Sequence, residues 1–208
     1  MACEKEETFI ISRDATNEIH FSGEINQKSI SILIDRLLEM ETRVINKCRK
    51  LKRRYKEDND SDEEENTSIS FRVDPKPIKL YITSNGGLVY QVFSAIDTIK
   101  SMKVPVHTYV KGFAASAATL LSLAGKRRFI TENSYMLIHE LRGGSWGTYS
   151  QLKEAMENHT IVNDHIKNYY VKNTKYTMAE IEEQLKHDMI MKPEKCLENG
   201  LIDEIVKN

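Results

Sequence analysis

An α/β domain built on a largely parallel sheet is predicted by three observations. Downstream of Ile78, short runs rich in Ile, Val, Tyr and Thr alternate with segments of helical period, the pattern of strand–helix crossovers. Two strand-to-helix junctions carry tight-turning or small residues, Ser84-Asn85-Gly86-Gly87 and Gly112-Phe113-Ala114-Ala115-Ser116. No internal repeat breaks the alternation, and 208 residues suit one sizeable domain better than two.

The elements follow in order. Ile19 to Ser22 reads as a short strand ended by Gly23, and Asn26 is a plausible N-cap. Ile30, Leu33, Ile34, Leu37 and Leu38 then recur at helical spacing. Beyond Met40 the pattern changes to a basic run (Lys47, Arg49, Lys50, Lys52, Arg53, Arg54, Lys56) followed by Asp58, Asp60, Asp62 and Glu63 to Glu65. A solvated helical extension ending in an acidic loop is the favoured reading, since adjacent acids largely cancel the basic field. This stretch, about 44–77, is taken as a charged insertion in a single domain of 19–208, preceded by an N-terminal segment of 1–18.

Lys79 to Thr83 is the next strand, and Val89, Val92, Phe93, Ile96 and Ile99 line one side of the helix after it. Pro105 to Val110 is a strand, and Ala114 to Leu123 a helix of small residues and then leucines. Arg128 to Ile130 and Tyr135 to Ile138 are strands, and a long helix runs from about Tyr149 to Tyr170. Thr177 and Glu180 form a capping box that opens another helix. Pro193 starts a short helix that Gly200 stops, and Leu201 to Val206 closes as a strand.

Composition narrows the function. A hydrophobic share of 40%, a charged share of 29% and a net charge of −1 give no global signal for nucleic acid or a membrane surface. Cys3, Cys48 and Cys196 have no metal-ligand spacing, and an odd, unpatterned set suits a reducing compartment. The acidic start lacks the features of a signal peptide, and no apolar run approaches the roughly 18 residues of a membrane span. The cytoplasm is the expected location.

Four segments could carry chemistry. Paired glycines after a strand turn tightly and let another backbone approach, although an ordinary strand-to-helix turn is the favoured reading of Gly86-Gly87 taken alone. The lysine of a phosphate loop is missing after them. Ser116, at a helix start, would sit beside free backbone N–H groups that favour a developing oxyanion. The same segment reads equally well as a close-packing helix that Ser116 merely caps, and it is not the Gly-x-Ser-x-Gly elbow of α/β-hydrolases. His139 ends a strand and opens Glu140-Leu-Arg-Gly-Gly-Ser-Trp-Gly147, a setting suited to proton transfer. His20, His107, His159, His165 and His187 compete with it. Asp188, expected near the end of the capping-box helix, is disfavoured there by the helix dipole, which hints at a local partner.

Taken in register, these segments resemble the proteolytic subunit of the Clp protease, the ClpP family. That family reads strand, Ser-Pro-Gly-Gly turn, Gly-x-Ala-Ala-Ser at a helix start, a strand ending Met-Ile-His, a Gly-Gly segment, and an Asp before Glu-Ala-x-x-x-Gly-Leu-Ile-Asp. Its counterparts here are Ser84-Asn-Gly-Gly87, Gly112-Phe-Ala-Ala-Ser116, Leu137-Ile-His139, Gly143-Gly144, Asp188 and Glu194-Lys-Cys-Leu-Glu-Asn-Gly-Leu-Ile-Asp203. The resemblance covers about Ile19 to Val206, interrupted by the insertion.

The resemblance implies a crotonase-like α/β fold of repeated β-β-α units with a protruding handle helix, the one starting near Tyr149. It implies a serine endopeptidase with Ser116 as nucleophile, His139 as base and Asp188 as its orienting acid. Gly87 and Ala117 would supply the oxyanion-hole N–H groups. Gly86, Gly87, Leu88, Arg142, Gly143 and Gly144 would flank the peptide substrate as added strands. It further implies a homo-oligomer of two stacked heptameric rings fed by an AAA+ Clp ATPase, with no cofactor in this chain and ATP used only by that partner. The sequence departs from the family at Asn85, Leu88 and Ala117, where proline, serine and methionine are usual, and it lacks the usual axial-loop sequence before the first strand. Three rivals define what to look for. A non-catalytic ring subunit would lack a triad residue. A crotonase acting on acyl-CoA would offer catalytic acids. A signal-peptide peptidase would use a Ser-Lys pair and commonly a membrane anchor.

Overall fold

Period-two burial organises the sheet. In the computed structural model, which describes residues 8–59 and 74–207, β2 (Glu18–Ser22) buries Ile19 and Phe21 and turns His20 to the other face. β3 (Ile78–Ser84) buries Ile78, Leu80, Ile82 and Ser84 in the same alternation. β1 (Phe9–Arg13) pairs antiparallel with β2, while β2, β3, β4 (Val106–Ala115), β5 (Arg127–Thr131) and β8 (Glu204–Val206) run parallel in the order β1-β2-β3-β4-β5-β8. β6 (Tyr135–Leu137) pairs parallel with the end of β4, and β7 (Ile190–Met191) pairs antiparallel with β6.

Helices cover the apolar face. α1 (Gln27–Asn59) begins with a reciprocal cap: Ser29 N–H donates to Asn26 Oδ1 at 2.9 Å, and Asn26 N–H donates to Ser29 Oγ at 2.9 Å. Ile30, Leu33, Leu37, Met40 and Val44 face the core, joined by Val92, Ala95 and Ile96 of α2 (Val89–Ser101) and by α3 (Ala117–Ser122), buried throughout. On the opposite face the side chains stack strand to strand. His20 to Tyr81, Tyr81 to Tyr109 and Tyr109 to Phe129 have ring centroids 4.6, 4.9 and 4.5 Å apart.

α4 (Tyr149–Asn173) is the predicted long helix, opened by a Thr148–Gln151 capping box. Its C-terminal end is tied to the sheet by Arg128, whose Nη1 donates to the carbonyls of Asn173 at 2.6 Å and Gly200 at 3.0 Å while the guanidinium pairs with Asp203. α5 (Met178–Leu185) carries the predicted Thr177–Glu180 box, and α6 (Pro193–Glu198) starts at Pro193 and is followed by Gly200 at φ 73°. No helix among the described residues is long and apolar enough to cross a membrane.

The structure adjusts the expected elements at several points. The chain before Ile19 is not merely a leading segment, because Phe9–Arg13 forms the edge strand β1. Its apolar Phe9 and Ile11 point outward, so no core-facing alternation announced it. β7 was likewise unannounced, two residues being too short to show a period. The helical extension expected over the first part of the 44–77 insertion is present: α1 continues through it to Asn59, since Lys, Arg and Glu propagate a helix. The acidic run Asp60 to Glu65 lies outside the described residues. β4 extends to Ala115 where a helix was expected from Ala114, because ladder pairing with Ser84, Met136 and Leu137 overrides alanine's helix propensity. Finally, Asp188 lies beyond α5, in the loop before β7.

Candidate active site

The nucleophile candidate stands where one strand changes partners. β4 pairs with β5 over His107–Val110, then with β6 over Phe113–Ala115. Gly112, at φ 79°, takes the bend between these two stretches, and its N–H donates to Ser134 Oγ at 2.7 Å. At Ser116 the chain turns into α3 with φ 54° and ψ −127°. A non-glycine residue held there costs of order 1–3 kcal/mol, so the surroundings must enforce it.

The enforcing contacts are visible. Ser116 N–H donates to the Leu137 carbonyl at 2.9 Å. The Ser116 carbonyl accepts from Thr119 N–H at 3.0 Å and from Thr119 Oγ1 at 2.6 Å. Thr119 Oγ1 is in turn 2.5 Å from the hydroxyl of Tyr170, buried on α4. Burial keeps the Tyr170 phenol protonated, its pKa pushed well above that of an ordinary tyrosine. The turn is thus braced by β6 on one side and by α4 on the other.

Gly86 and Gly87 form the second wall. A Cβ on Gly86 would stand 2.8 Å from both the Ala115 carbonyl oxygen and Ser116 Cβ, so only glycine lets the two turns pack. Gly87 makes a parallel bridge with Ile25, in which Ile25 N–H donates to the Gly86 carbonyl at 2.8 Å and the Ile25 carbonyl accepts from Leu88 N–H at 2.7 Å. In that pattern the N–H of Gly87 itself points away from Ile25. Gly87 has φ 143°, and a Cβ there would be driven into the Ile25 carbonyl. Gly87→Ala is therefore expected to destabilise the fold by about 2–4 kcal/mol, measured as a lower urea midpoint at unchanged slope.

His139 follows β6 and is 12% exposed. Its Nδ1 lies 3.2 Å from Asp188 Oδ1, within ion-pair distance but without an aligned hydrogen bond. Asp188 is 57% exposed, and its Oδ2 is held by Arg142 Nη2. Burial, and then the nearby Arg142 cation, depress the pKa of His139, while the Asp188 carboxylate and, more weakly, Glu140 act in the opposite sense.

Ser116 and His139 line one cavity of about 210 Å³, together with Gly87, Ala117, Arg142 and Tyr170. Among the described residues His139 is the histidine on that wall. The rivals are engaged elsewhere: His20 stacks on Tyr81, His107 is near Phe129, His165 packs on Phe93, His187 pairs with Glu183, and His159 lies beneath Gly143. Asp188 stands beside His139 and is not on the cavity wall.

The expected substrate-contacting set divides. Gly87 and Arg142 line the cavity. Gly86 is buried behind Ser116 as a packing glycine, Leu88 is exposed, Gly143 rests against His159, and Gly144 has open space around its Cα. Sequence reasoning missed Thr119 and Tyr170. The signal available for Tyr170 was its place on the inward side of the long helix, shared with Ile166, and nothing in the sequence ties it to Thr119.

A serine on an enforced strand-to-helix turn, an imidazole on the same cavity wall and a carboxylate beside that imidazole are the kinds of group that hydrolases working through a serine employ. The model of the Clp protease family matches residues 69–208, more than half of the chain. The chain belongs to that family, with its crotonase-like α/β fold, and is a serine-type peptidase. The match begins downstream of β1, β2 and α1, so these elements are read from the structure alone.

Proposed function

We propose that the chain is an endopeptidase in which Ser116 is the nucleophile, His139 the general base and Asp188 the acid that orients it. The observation that carries this reading is the enforced positive φ of Ser116 on a cavity shared with His139, with Asp188 3.2 Å from the far ring nitrogen. Ser116 Oγ attacks the scissile carbonyl carbon as His139 Nε2 takes its proton. The resulting oxyanion is met by the N–H of Ala117, at the open start of α3, and by that of Gly87. His139 then gives its proton to the leaving amine. Water, activated by the same imidazole, attacks the acyl-enzyme and regenerates Ser116. Asp188 favours the tautomer with the proton on Nδ1 and stabilises the imidazolium.

Gly87 and Arg142 stand nearest the peptide, with Leu88 and the Gly143-Gly144 segment continuing the surface past which an extended chain would run. Such main-chain recognition suits unfolded polypeptides of varied sequence. We further infer, from family membership, a homo-oligomeric chamber of two stacked heptameric rings in the cytoplasm. An AAA+ Clp ATPase would supply substrate and perform any ATP hydrolysis, and the chain itself would need no cofactor.

Labelling with a fluorophosphonate probe, followed by mass spectrometry, tests the site. Modification of Ser116 that disappears in His139→Ala is the expected result; modification of another serine, or labelling indifferent to His139, overturns the assignment. The pH profile gives a second check. His139 must be neutral to accept a proton, and its pKa is depressed. The acid limb of kcat/KM is therefore expected to have its midpoint below the ordinary histidine value of about 6.5, with activity lost as pH falls through that midpoint.

A further inference from the structure

We propose that Arg142 is a positioning residue for Asp188, acting on the reaction through the triad carboxylate in addition to bordering the substrate cavity. This rests on the triad reading above. Asp188 belongs to a loop, not a regular element, and is more than half exposed. A carboxylate so placed has little packing to fix its torsion. Two groups meet its oxygens: His139 Nδ1 at 3.2 Å from Oδ1, and the Arg142 guanidinium at Oδ2. The first contact lacks hydrogen-bond alignment, whereas the second is a charge-assisted hydrogen bond. Arg142 therefore fixes the carboxylate oxygen that His139 does not meet, and with it the rotation of the acid beside the imidazole.

The placement of Arg142 fits this task. It lies three residues after His139 in the segment that leaves β6, and it reaches back to a loop 46 residues further along the chain. The same two segments are joined by Glu140 N–H donating to the Leu185 carbonyl at 2.8 Å. The backbone bridge sets the spacing of the loops, and the Arg142–Asp188 pair sets the rotation of the acid within it. Arg142 is also a cavity-wall residue, 66% exposed. A peptide entering the cavity meets the group that holds the triad acid.

Charge supplies a separate signature. The charged groups acting on His139 are Arg142, Asp188 and Glu140. Arg142 disfavours the imidazolium and the two carboxylates favour it, so removing the guanidinium raises the His139 pKa. The acid limb of activity then moves to higher pH.

The test is a double-mutant cycle with Arg142→Ala and Asp188→Asn in the full-length protein, read by peptide hydrolysis and by NMR titration of the His139 ring. Arg142→Ala is expected to lower kcat by about 10- to 100-fold, with a smaller change in KM and an acid limb at higher pH. In the Asp188→Asn background the same substitution should add little, because its target is already altered. Arg142→Lys, which keeps the charge and one donor, should return the acid limb and part of kcat. A raised KM at unchanged kcat would make Arg142 a plain substrate contact. Additive effects in the cycle, or an unmoved His139 titration, would equally overturn the proposal. Failure of the triad reading looks different: Ser116→Ala would then keep its activity. The ring titration reports on Arg142 even if turnover is undetectable.

Discussion

Ser116→Ala is expected to reduce peptide hydrolysis by about 10⁶-fold, to the level left by binding and the oxyanion donors, while the protein folds and associates as before. The substitution is a clean one because it removes only Oγ. Alanine keeps a Cβ, so the backbone at φ 54° is no more and no less strained than with serine. The contacts that hold the turn come from the main chain of residue 116, through Leu137 and Thr119, and survive intact. Thermal midpoints of the two proteins should therefore agree closely. Undiminished hydrolysis by Ser116→Ala would remove the proposed mechanism.

Asp188→Asn carries the next largest effect, about 10³- to 10⁴-fold in kcat. The amide is close in shape to the carboxylate but can present an N–H to His139 Nδ1, which favours the tautomer whose Nε2 carries the proton and cannot act as base. It also withdraws the negative charge that stabilises the imidazolium. The lower end of the range reflects the exposure of Asp188, since a half-solvated charge is partly screened. The loss should be in kcat with KM little changed, and fluorophosphonate labelling of Ser116 should slow in parallel. An Asp188→Asn protein with wild-type kcat would exclude Asp188 from the triad.

Local signals carried the reading of the sequence as far as local physics reaches. The short runs Ile19 to Ser22 and Lys79 to Thr83 were legible as strands, and each buries one face, through Ile19 and Phe21 and through Leu80 and Ile82. The Thr177–Glu180 capping box and Pro193 marked helix starts through their own hydrogen-bonding and torsional preferences. Where a residue's conformation is set by a distant partner, the sequence was silent or misleading. Ala114 and Ala115 are strand residues because of Ser84 and β6, and the local Thr119–Ser116 contact is tied to α4 through Tyr170, 51 residues from Thr119. Ser116 itself read equally as a cap and as a nucleophile, and neither its torsion nor the cavity it lines was visible in the sequence. Arg142 was legible as a residue near the substrate path, but its hold on Asp188 depends on two loops brought together by tertiary structure.

The torsion at Ser116 also bears on how this enzyme can change over generations. Position 116 is occupied by a side chain in a region of backbone space that glycine enters freely and other residues enter under strain. Selection for persistence alone would draw the codon toward glycine, relieving the turn and, under the proposed mechanism, extinguishing the chemistry in one step. Under that mechanism, selection for turnover holds serine there against that drift. Laboratory evolution toward heat resistance, run without an activity screen, would thus endanger this residue first, and stabilising changes that spare the reaction should be sought away from the serine turn.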